Sequence, residues 1–341
     1  MIGDIEAAER VVRRALSHYG SATDGDLTFV KYRENWVFRI DQADGRFAVR
    51  VHRLGYRSDA ELLEELDLVS ALKNEGVSVP VLRRTIDGRK FCHVPDDSGD
   101  LYQVDMLGWV DGGEPLGDIG AAFMGDEEVD LAGFHNLGAL MAGLHVANMK
   151  LVANRPSVRS AWDHQGLVGD SPVWGDPMRA FAAGDPDSGV IGSAMKVLSD
   201  QLVQYGKAAG RYGPIHADLT PENVLMHDGL MTIIDFDDSG DGYYLFDLAT
   251  AAFFYLPHPR FDDVTQALFG GYESVRALTN VDHSMWRAML LARGLTYLGW
   301  ATDRRGDETS DFLLEHIRPV VLDLAREVVD RASAVPSAGA R

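Results

Sequence analysis

The 341-residue chain has a single cysteine, Cys92, and no long uninterrupted apolar run. One thiol cannot form an internal disulfide or a cysteine-rich metal site. Apolar runs such as Met231–Ile234 are far shorter than the ~20 residues that a membrane-spanning helix needs. The first residues carry Asp4, Glu6 and Glu9, unlike the basic start of a signal peptide. The expected location is therefore the cytoplasm.

Basic residues are also scarce, with 32 Lys and Arg against 52 Asp and Glu and a net charge of −20. Because phosphate backbones attract cations, nucleic acid is not expected as a partner. Residues 1–106 hold 19 acidic and 15 basic residues (net −4), and the remainder holds 33 and 17 (net −16). A field of this sign favours a cationic substrate in the second part of the chain. General solubility explains the same charge.

The first third of the chain predicts a small α+β lobe. Apolar periodicity and turn signals predict helices at Ile2–Tyr19 and Asp59–Glu75, and strands at Leu27–Lys31, Trp36–Ile40, Phe47–Val51 and Leu101–Leu107. Ser58 is a predicted helix N-cap and Gly76 a predicted helix stop. A glycine-rich segment after the last strand is typical of a hinge.

The rest of the chain is mostly helical in pattern, with predicted helices at Phe134–Ala147, Met285–Trp300 and Phe312–Val329. One β-rich segment, Pro214–Asp238, interrupts them. We therefore expect a nucleotide-binding N-lobe over residues 1–106, a catalytic C-lobe over 107–331, and a disordered tail over 332–341.

The β-rich segment contains a cluster of residues suited to chemistry, within HADLTPEN (His216–Asn223) and MTIIDFDD (Met231–Asp238). Pro221 prevents one continuous helix, so Asp218 and the asparagine at the end of the first motif should lie on a loop. A short strand then delivers Asp235 beside that loop.

This cluster supplies three oxygen-bearing side chains: a carboxylate free to take a proton, and a carboxamide and a carboxylate suited to a hard cation such as Mg²⁺. Phosphoryl transfer needs little more, because it depends mainly on positioning and charge neutralisation. His216, Asp218 and Asp235 also make a donor set of the kind found in metallohydrolases, which is an alternative reading of the residues alone.

His-x-Asp-x-x-x-x-Asn followed by Ile-Asp-Phe-Asp resembles the catalytic and metal motifs of the aminoglycoside phosphotransferase/choline kinase superfamily, relatives of protein kinases. Further similar segments follow in the family's order: Glu34–Ile40, Phe47–Arg53, Gly138–His145 and Asp247–Ala249. The segment IDFDDSGDGYYLFDLATA most resembles the branch of stress-response Ser/Thr kinases and homoserine-kinase-like phosphotransferases. The resemblance implies a bilobal α+β, protein-kinase-like fold that uses ATP and Mg²⁺.

Position by position, the resemblance implies that Asp218 is the catalytic base and that Asn223 and Asp235 hold Mg²⁺. His216 would brace the loop rather than transfer a proton. Asp247 would hydrogen-bond the catalytic segment.

Arg50 stands where the family usually has a phosphate-binding lysine. Strand alternation lets its side chain face the cleft, and a guanidinium can bind phosphate oxygens in a bidentate way. A solvated strand charge is the alternative. Glu65 is the expected helix acid beside it, with Glu61, one turn earlier, as the other candidate.

The turn that usually carries a glycine-rich phosphate loop has no glycine here, and Asn35 is its candidate phosphate contact. Met106 either lines an adenine pocket or is a core residue. Asp237 and Asp238 either supplement the metal site and attract a cationic acceptor, or only stabilise a turn.

The expected activity is ATP-dependent transfer of the γ-phosphoryl group to the hydroxyl of a small molecule, such as an amino alcohol, an aminosugar or a homoserine-like compound. A protein Ser/Thr kinase of the stress-response type is an alternative. A catalytically weak, pseudokinase-like nucleotide-binding module is another, because the usual lysine and glycines are missing.

Overall fold

The computed structural model describes residues 2–21, 25–151 and 157–334. Its strands, in chain order, are β1 (Leu27–Tyr32), β2 (Asn35–Gln42), β3 (Gly45–His52), β4 (Leu82–Arg83), β5 (Phe91–Pro95), β6 (Leu101–Gly108), β7 (Glu114–Pro115), β8 (Tyr212–Ile215), β9 (Val224–His227), β10 (Leu230–Ile233) and β11 (Gly240–Tyr243). Its α-helices are α1 (Ile5–Leu16), α2 (Asp59–Asn74), α3 (Ile119–Met124), α4 (Leu131–Leu151), α5 (His164–Val168), α6 (Ser188–Tyr205), α7 (Tyr244–Ala252), α8 (Phe261–Glu273), α9 (Asn280–Thr302), α10 (Glu308–Phe312) and α11 (Arg318–Ala334).

The chain forms two compact units. The first contains the residues up to Glu114 together with Leu225–Asp237, and the second contains Pro115–Val224 and the residues from Asp238 onward. The sequence analysis set the division at residue 106 and assigned the whole β-rich segment to the second part. The hairpin β9–β10 belongs to the first unit instead, where the backbone N–H of Ile233 donates to the carbonyl of Ser78 at 2.9 Å.

The first unit is built on an antiparallel sheet in the order β1-β2-β3-β6, with β4 and β5 both pairing with β6. Since side chains alternate along a strand, Val49 and Val51 of β3 lie on one face of this sheet. They pack there against the apolar side of α1, which contributes Val12 and Leu16 to the same core. Arg50 therefore lies on the opposite face.

The helix α2 follows β3 and begins where its sequence predicts. The Ser58 side chain accepts from the backbone of Glu61, and the Glu61 carboxylate accepts from the backbone N–H of Ser58, which completes a capping box. Leu62 and Leu66 of α2 pack in a small cluster with Phe91. The helix thus carries its buried Glu65 on a fixed scaffold.

The second unit is mostly helical. Its helices α4 and α8 pack closely, and α9 contacts α7 and α11. The strands β8 and β11 form a short antiparallel pair that brings Ile215, just before the HADLTPEN motif, opposite Gly240. This pairing supports the start of the catalytic loop.

The main predicted helices and strands are present, with ends shifted by a few residues. The sequence analysis missed α6, α7 and α8, although α6 repeats buried apolar residues at helical spacing over Ile191, Ala194, Leu198 and Leu202. The last helix extends to Ala334, so the first residues of the predicted disordered tail are helical, and residues 335–341 lie outside the described part. No helix in the described ranges is both long and apolar enough to cross a membrane.

Gly138 of α4 lies at the contact with α8. A Cβ at Gly138 would overlap the backbone carbonyl oxygen of Leu268, which cannot rotate away. We expect Gly138→Ala to lower the free energy of unfolding by about 1–3 kcal/mol, as overpacking does. Urea denaturation followed by circular dichroism measures it.

Gly143 is the matched control, because it lies in the same helix and a Cβ there would meet nothing within 4 Å. Gly143→Ala should raise the free energy of unfolding by about 0.5–1 kcal/mol, since alanine is the better helix former. Equal effects of the two substitutions would contradict the close packing of α4 on α8.

Candidate functional site

The catalytic loop of the second unit begins at His216 and is held by one buried carboxylate. Asp247, in the first turn of α7, accepts the backbone N–H of His216 at 3.0 Å and that of Ala217 at 2.8 Å. His145 donates from Nε2 to the same carboxylate at 3.0 Å, and its Nδ1 accepts the hydroxyl of Tyr272 at 2.9 Å. Burial lowers the pKa of His145, although Asp247 opposes this shift, so the ring is neutral.

Ala217 has a left-handed backbone with φ of 67°. A non-glycine residue in this region costs about 1–3 kcal/mol and persists only where its surroundings hold it. The two hydrogen bonds to Asp247 stabilise this backbone conformation. The conformation in turn lets two consecutive N–H groups bind one side chain. As a result, the direction of the next residue, Asp218, is fixed.

Asp218 and Asn223 lie side by side. The Asn223 Nδ2 donates to the backbone carbonyl of Asp218 at 2.8 Å and to its Oδ2 at 3.2 Å. The carboxamide oxygen of Asn223 is then the atom left to bind a cation. His216 is buried, and its Nδ1 accepts the N–H of Asp218 at 3.3 Å, which is a bracing contact.

Arg293 on α9 completes this group and was missed from the sequence. Its Nη2 donates to Asp218 Oδ1 at 2.5 Å and its Nη1 to the carbonyl of Ala217 at 3.0 Å. The guanidinium is fully buried against the rings of Trp174 and Tyr297, at 4.5 and 4.0 Å from their centres. Burial by itself would lower the pKa of Arg293. The neighbouring Tyr297 and the carboxylates of Asp218 and Asp238 have the larger effect, so the pKa is raised.

A signal for Arg293 exists in the sequence. It is the one charged residue within the apolar stretch Ala288–Trp300 of α9. A cation in such a stretch must find a buried partner. The sequence does not reveal which partner, because Asp218 lies far away along the chain.

In the first unit, Arg50 forms a buried ion network. Its Nε and Nη2 donate to the two carboxylate oxygens of Asp105 at 3.0 and 2.8 Å, and its Nη1 lies 2.8 Å from Glu65 Oε1. Glu65 is therefore the acid that holds Arg50, and Glu61 is occupied in the capping box. Burial by itself would lower the pKa of Arg50. The negative charges of Asp105 and Glu65 have the larger effect, so the pKa lies well above its ordinary value.

Asp105 was not recognised from the sequence. It also contacts the Nε2 of His52, 2.6 Å from its Oδ2. Burial alone would raise the pKa of Asp105, but the charges and hydrogen bonds of Arg50 and His52 hold it at about 2. The carboxylate is therefore charged and shared between two basic groups.

Asp235 follows β10 and is another non-glycine residue with a left-handed backbone, at φ of 67°. Its Oδ2 lies 3.3 Å from the Nζ of Lys31 on β1. A strained backbone held at the end of a strand is frequent at functional sites. Lys31 was not singled out from the sequence.

The two aspartates that follow have different partners. Asp237 is buried in the first unit, where Arg57 donates to its backbone carbonyl at 2.7 Å and lies 3.8 Å from its carboxylate. Asp238 belongs to the second unit, where its Oδ1 accepts the indole N–H of Trp174 at 3.1 Å. Asp238 also contributes to raising the pKa of Arg293.

Two predicted nucleotide contacts have contrasting positions. Met106 is fully buried in the core that packs on α1, on the face of the sheet opposite Arg50. Strand alternation thus points the Met106 side chain into the core, which is the second of the two alternatives given by the sequence, and a contact of Met106 with a nucleotide stays a prediction. Asn35 pairs with His52 and so lies on the Arg50 face, with its Oδ1 buried and without a hydrogen-bond partner.

The oxygen donors present suit a hard divalent cation. Asn223 offers a carboxamide oxygen whose nitrogen is already held by Asp218, and Asp235 offers a carboxylate on a fixed backbone. Mg²⁺ prefers a small number of such protein oxygens and completes its shell with water and phosphate. Each of the two residues therefore offers, within its own unit, an oxygen donor of the kind that a hard divalent cation takes.

Comparisons with known proteins identify the fold and the family. A solved microcompartment-associated aminopropanol kinase superposes with a TM-score of 0.81 at 28% identity, over 96% of this chain and 98% of that chain. A solved amicoumacin kinase, in complex with AMP-PNP and Ca²⁺, superposes with a TM-score of 0.68 at 18% identity, over 89% of this chain and 88% of that one. A homoserine kinase of Cupriavidus metallidurans is 27% identical over 217 residues, which are 59% of this chain and 62% of that protein.

The α+β, protein-kinase-like fold class predicted from the sequence is confirmed by these superpositions. The resemblance drawn from the HADLTPEN and IDFDD motifs is confirmed as well. Residues 29–283, well over half of the chain, match the phosphotransferase enzyme family, and the chain belongs to that family.

Proposed function

We propose that this phosphotransferase moves the γ-phosphoryl group of ATP, bound with Mg²⁺, to the hydroxyl of a small amino alcohol. The observation that carries the proposal is the fixed position of the Asp218 carboxylate beside Asn223 and Arg293. A carboxylate held in this way orients a hydroxyl and takes its proton. The complex of the amicoumacin kinase relative with a nucleotide analogue and a divalent ion supports the use of both here.

Asp218 is the proposed base. Phosphoryl transfer passes through a loose transition state, so the nucleophile needs orientation more than strong activation. A carboxylate paired with a guanidinium is a weak base, and its main contribution is then to hold the acceptor hydroxyl in line. It accepts the proton as the new P–O bond forms.

Asn223 and Asp235 are the proposed ligands of Mg²⁺. When bound, this ion neutralises the charge of the phosphate oxygens and orients them. Asn223 has the additional task of holding the Asp218 backbone through its Nδ2. Asp247 and His216 act through the loop and touch no reacting atom.

Arg293 is a positioning residue for Asp218. Its two terminal nitrogens span a side-chain oxygen and a backbone carbonyl of the loop, which only a planar fork can do. The aromatic rings around it keep the guanidinium in place. The carboxylate cannot rotate without losing this bond.

A cationic acceptor is supported by charge. In the second unit, Asp218 and Asp238 both act on the guanidinium of Arg293, which leaves one negative charge in excess within this group. The acidic balance of the second part of the chain acts in the same direction. One of the similar solved structures is an aminopropanol kinase. Asp238 is the residue we assign to the ammonium, whereas Asp237 is held by Arg57.

Asp218→Asn tests the base. The amide keeps an acceptor for Arg293 and removes the proton-accepting charge, so we expect transfer to fall by about 10²–10⁴-fold. Binding of ATP, measured by isothermal titration calorimetry, should remain within about twofold, because the substitution leaves the nucleotide contacts in place. Transfer at more than a tenth of the wild-type rate would refute this role.

Arg293→Lys tests the positioning role. Lysine keeps the charge but cannot bridge both loop oxygens, so we expect kcat to fall about tenfold, roughly 1.4 kcal/mol in the barrier, with the KM for ATP unchanged. The matched control is Arg287→Lys on the same helix, where Arg287 pairs with Glu327. A loss of thermal stability without a change in kcat would leave Arg293 a structural residue only.

Asp238→Asn tests the acceptor class. With an aminopropanol as acceptor, losing one ion pair should raise KM by about tenfold, and with the matching propanediol KM should be unchanged.

ADP release is measured for amino alcohols, aminoglycosides, homoserine and a generic protein side by side. Preferred phosphorylation of the protein would overturn the small-molecule assignment, and nucleotide binding without any turnover would indicate a pseudokinase-like module.

A further inference from the structure

The second half of the catalytic loop is held by a single backbone N–H group. The N–H of Leu116 donates to the carbonyl of Val224 at 2.9 Å and to that of Pro221 at 3.2 Å. Asn223 lies between these two residues in the chain, at the end of a single helical turn over Pro221–Asn223. Leu116 therefore fixes the backbone on both sides of Asn223.

The segment that carries this N–H group is itself held by a carboxylate. Asp118, two residues after Leu116, donates its backbone N–H to Glu127 Oε1 at 3.1 Å. The other carboxylate oxygen of Glu127, Oε2, accepts the hydroxyl of Tyr255 at 2.6 Å. Tyr255 is fully buried, and burial together with the bond to Glu127 raises its pKa, so the hydroxyl keeps its proton and is the donor. Glu127 thus joins the segment Leu116–Asp118 to a buried ring.

Gly117, the middle residue of this segment, shows how closely its surroundings pack. A Cβ at Gly117 would lie 2.5 Å from the Tyr255 hydroxyl oxygen and 2.7 Å from Glu127 Oε1, closer than Cβ atoms approach other atoms. It would also lie 3.3 Å from the Cβ of Pro221, in the catalytic loop. The carboxylate and the loop therefore both border the segment at this residue. Because packed interiors transmit strain, a change at Glu127 is passed on to the loop.

The backbone of Glu127 is fixed as well. Its carbonyl accepts a hydrogen bond from His258 Nε2 at 3.1 Å. The Nδ1 of the same ring accepts the backbone N–H of Arg260 at 3.1 Å, so the ring proton lies on Nε2. All of these residues belong to the second unit. Glu127 is therefore a partly buried anchor with a fixed backbone rather than a free surface charge.

We propose that Glu127 is a positioning residue for Asn223 and acts through the N–H of Leu116. This inference rests on the proposed function, in which the carboxamide oxygen of Asn223 binds Mg²⁺. The Glu127 carboxylate touches no reacting atom. It sets the place of the Leu116 N–H, which in turn sets the backbone from which the carboxamide projects. Asp247 and Glu127 thus hold the two halves of one loop.

Binding of AMP-PNP with and without Mg²⁺ tests this assignment. Dissociation constants are measured by calorimetry for wild type and Glu127→Gln, over a series of Mg²⁺ concentrations and in EDTA. Glutamine has one carbonyl oxygen in place of two, so it cannot accept from both Asp118 and Tyr255. We expect the Mg²⁺ concentration for half of the metal-dependent gain in affinity to rise about threefold or more, less than the ~10-fold typical of a direct partner of a metal ligand. Binding in EDTA should be unchanged.

Two further variants act on the same segment. Tyr255→Phe removes one of the two donors to Glu127 and should give a smaller change of the same sign. Gly117→Ala keeps every charge, but its Cβ would press on Glu127 and Pro221, so it should also raise the Mg²⁺ concentration that is needed. Glu128→Gln is the matched control, because this exposed neighbour undergoes the same change in charge. It should leave the Mg²⁺ dependence unchanged.

Thermal unfolding followed by circular dichroism is measured for every variant. A lower Tm for Glu127→Gln with the Mg²⁺ dependence of wild type, or an equal shift for Glu128→Gln, overturns the assignment while the kinase activity stands. If Glu127→Gln does not fold, an unchanged Mg²⁺ dependence in both Tyr255→Phe and Gly117→Ala overturns it. A wild-type protein whose affinity for AMP-PNP does not depend on Mg²⁺, or that releases no ADP, would instead overturn the proposed function.

Discussion

The catalytic loop depends on one buried carboxylate that accepts two consecutive backbone N–H groups. Asp247 accepts both groups because Ala217 adopts a left-handed backbone, and Ala217 is held in turn by Asp247 and by the bond from Arg293 to its carbonyl. His145, neutral and buried, fixes the carboxylate from behind. The strained backbone of Ala217 therefore fixes the direction of the next residue, Asp218. Without the hydrogen bonds to Asp247, the direction of Asp218 would not be fixed, even if every residue of the motif remained.

Each unit contains a buried arginine whose charge is held by carboxylates. In the second unit, Arg293 is buried among aromatic rings and its charge is used to orient a carboxylate. In the first unit, Arg50 is buried between Glu65 and Asp105 and its charge is used to fix a helix to a sheet. In each unit, a buried guanidinium thus fixes the positions of the groups that it binds.

Local spacing was sufficient to predict Ser58 as the N-cap of α2 and the face of Arg50, because each depends on neighbours within a few residues. The roles of Asp218, Asn223 and Asp235 stay predictions. Contacts between distant segments were not predictable. Arg293 is 75 positions from its partner. The helices α6 to α8 were also missed, although α6 repeats its buried residues at helical spacing and so carries a local signal. The hairpin β9–β10 joins the first unit from late in the chain, which is another contact between distant segments.

The arginine in place of the expected lysine follows from Asp105. This residue puts a second carboxylate beside Glu65 on the face of the sheet where α2 packs, and it is held charged with a pKa of about 2. A lysine ammonium has no planar fork with which to bind both oxygens of Asp105 while still reaching Glu65. Arginine does so with its three nitrogens, and in this way one side chain joins α2 to the sheet.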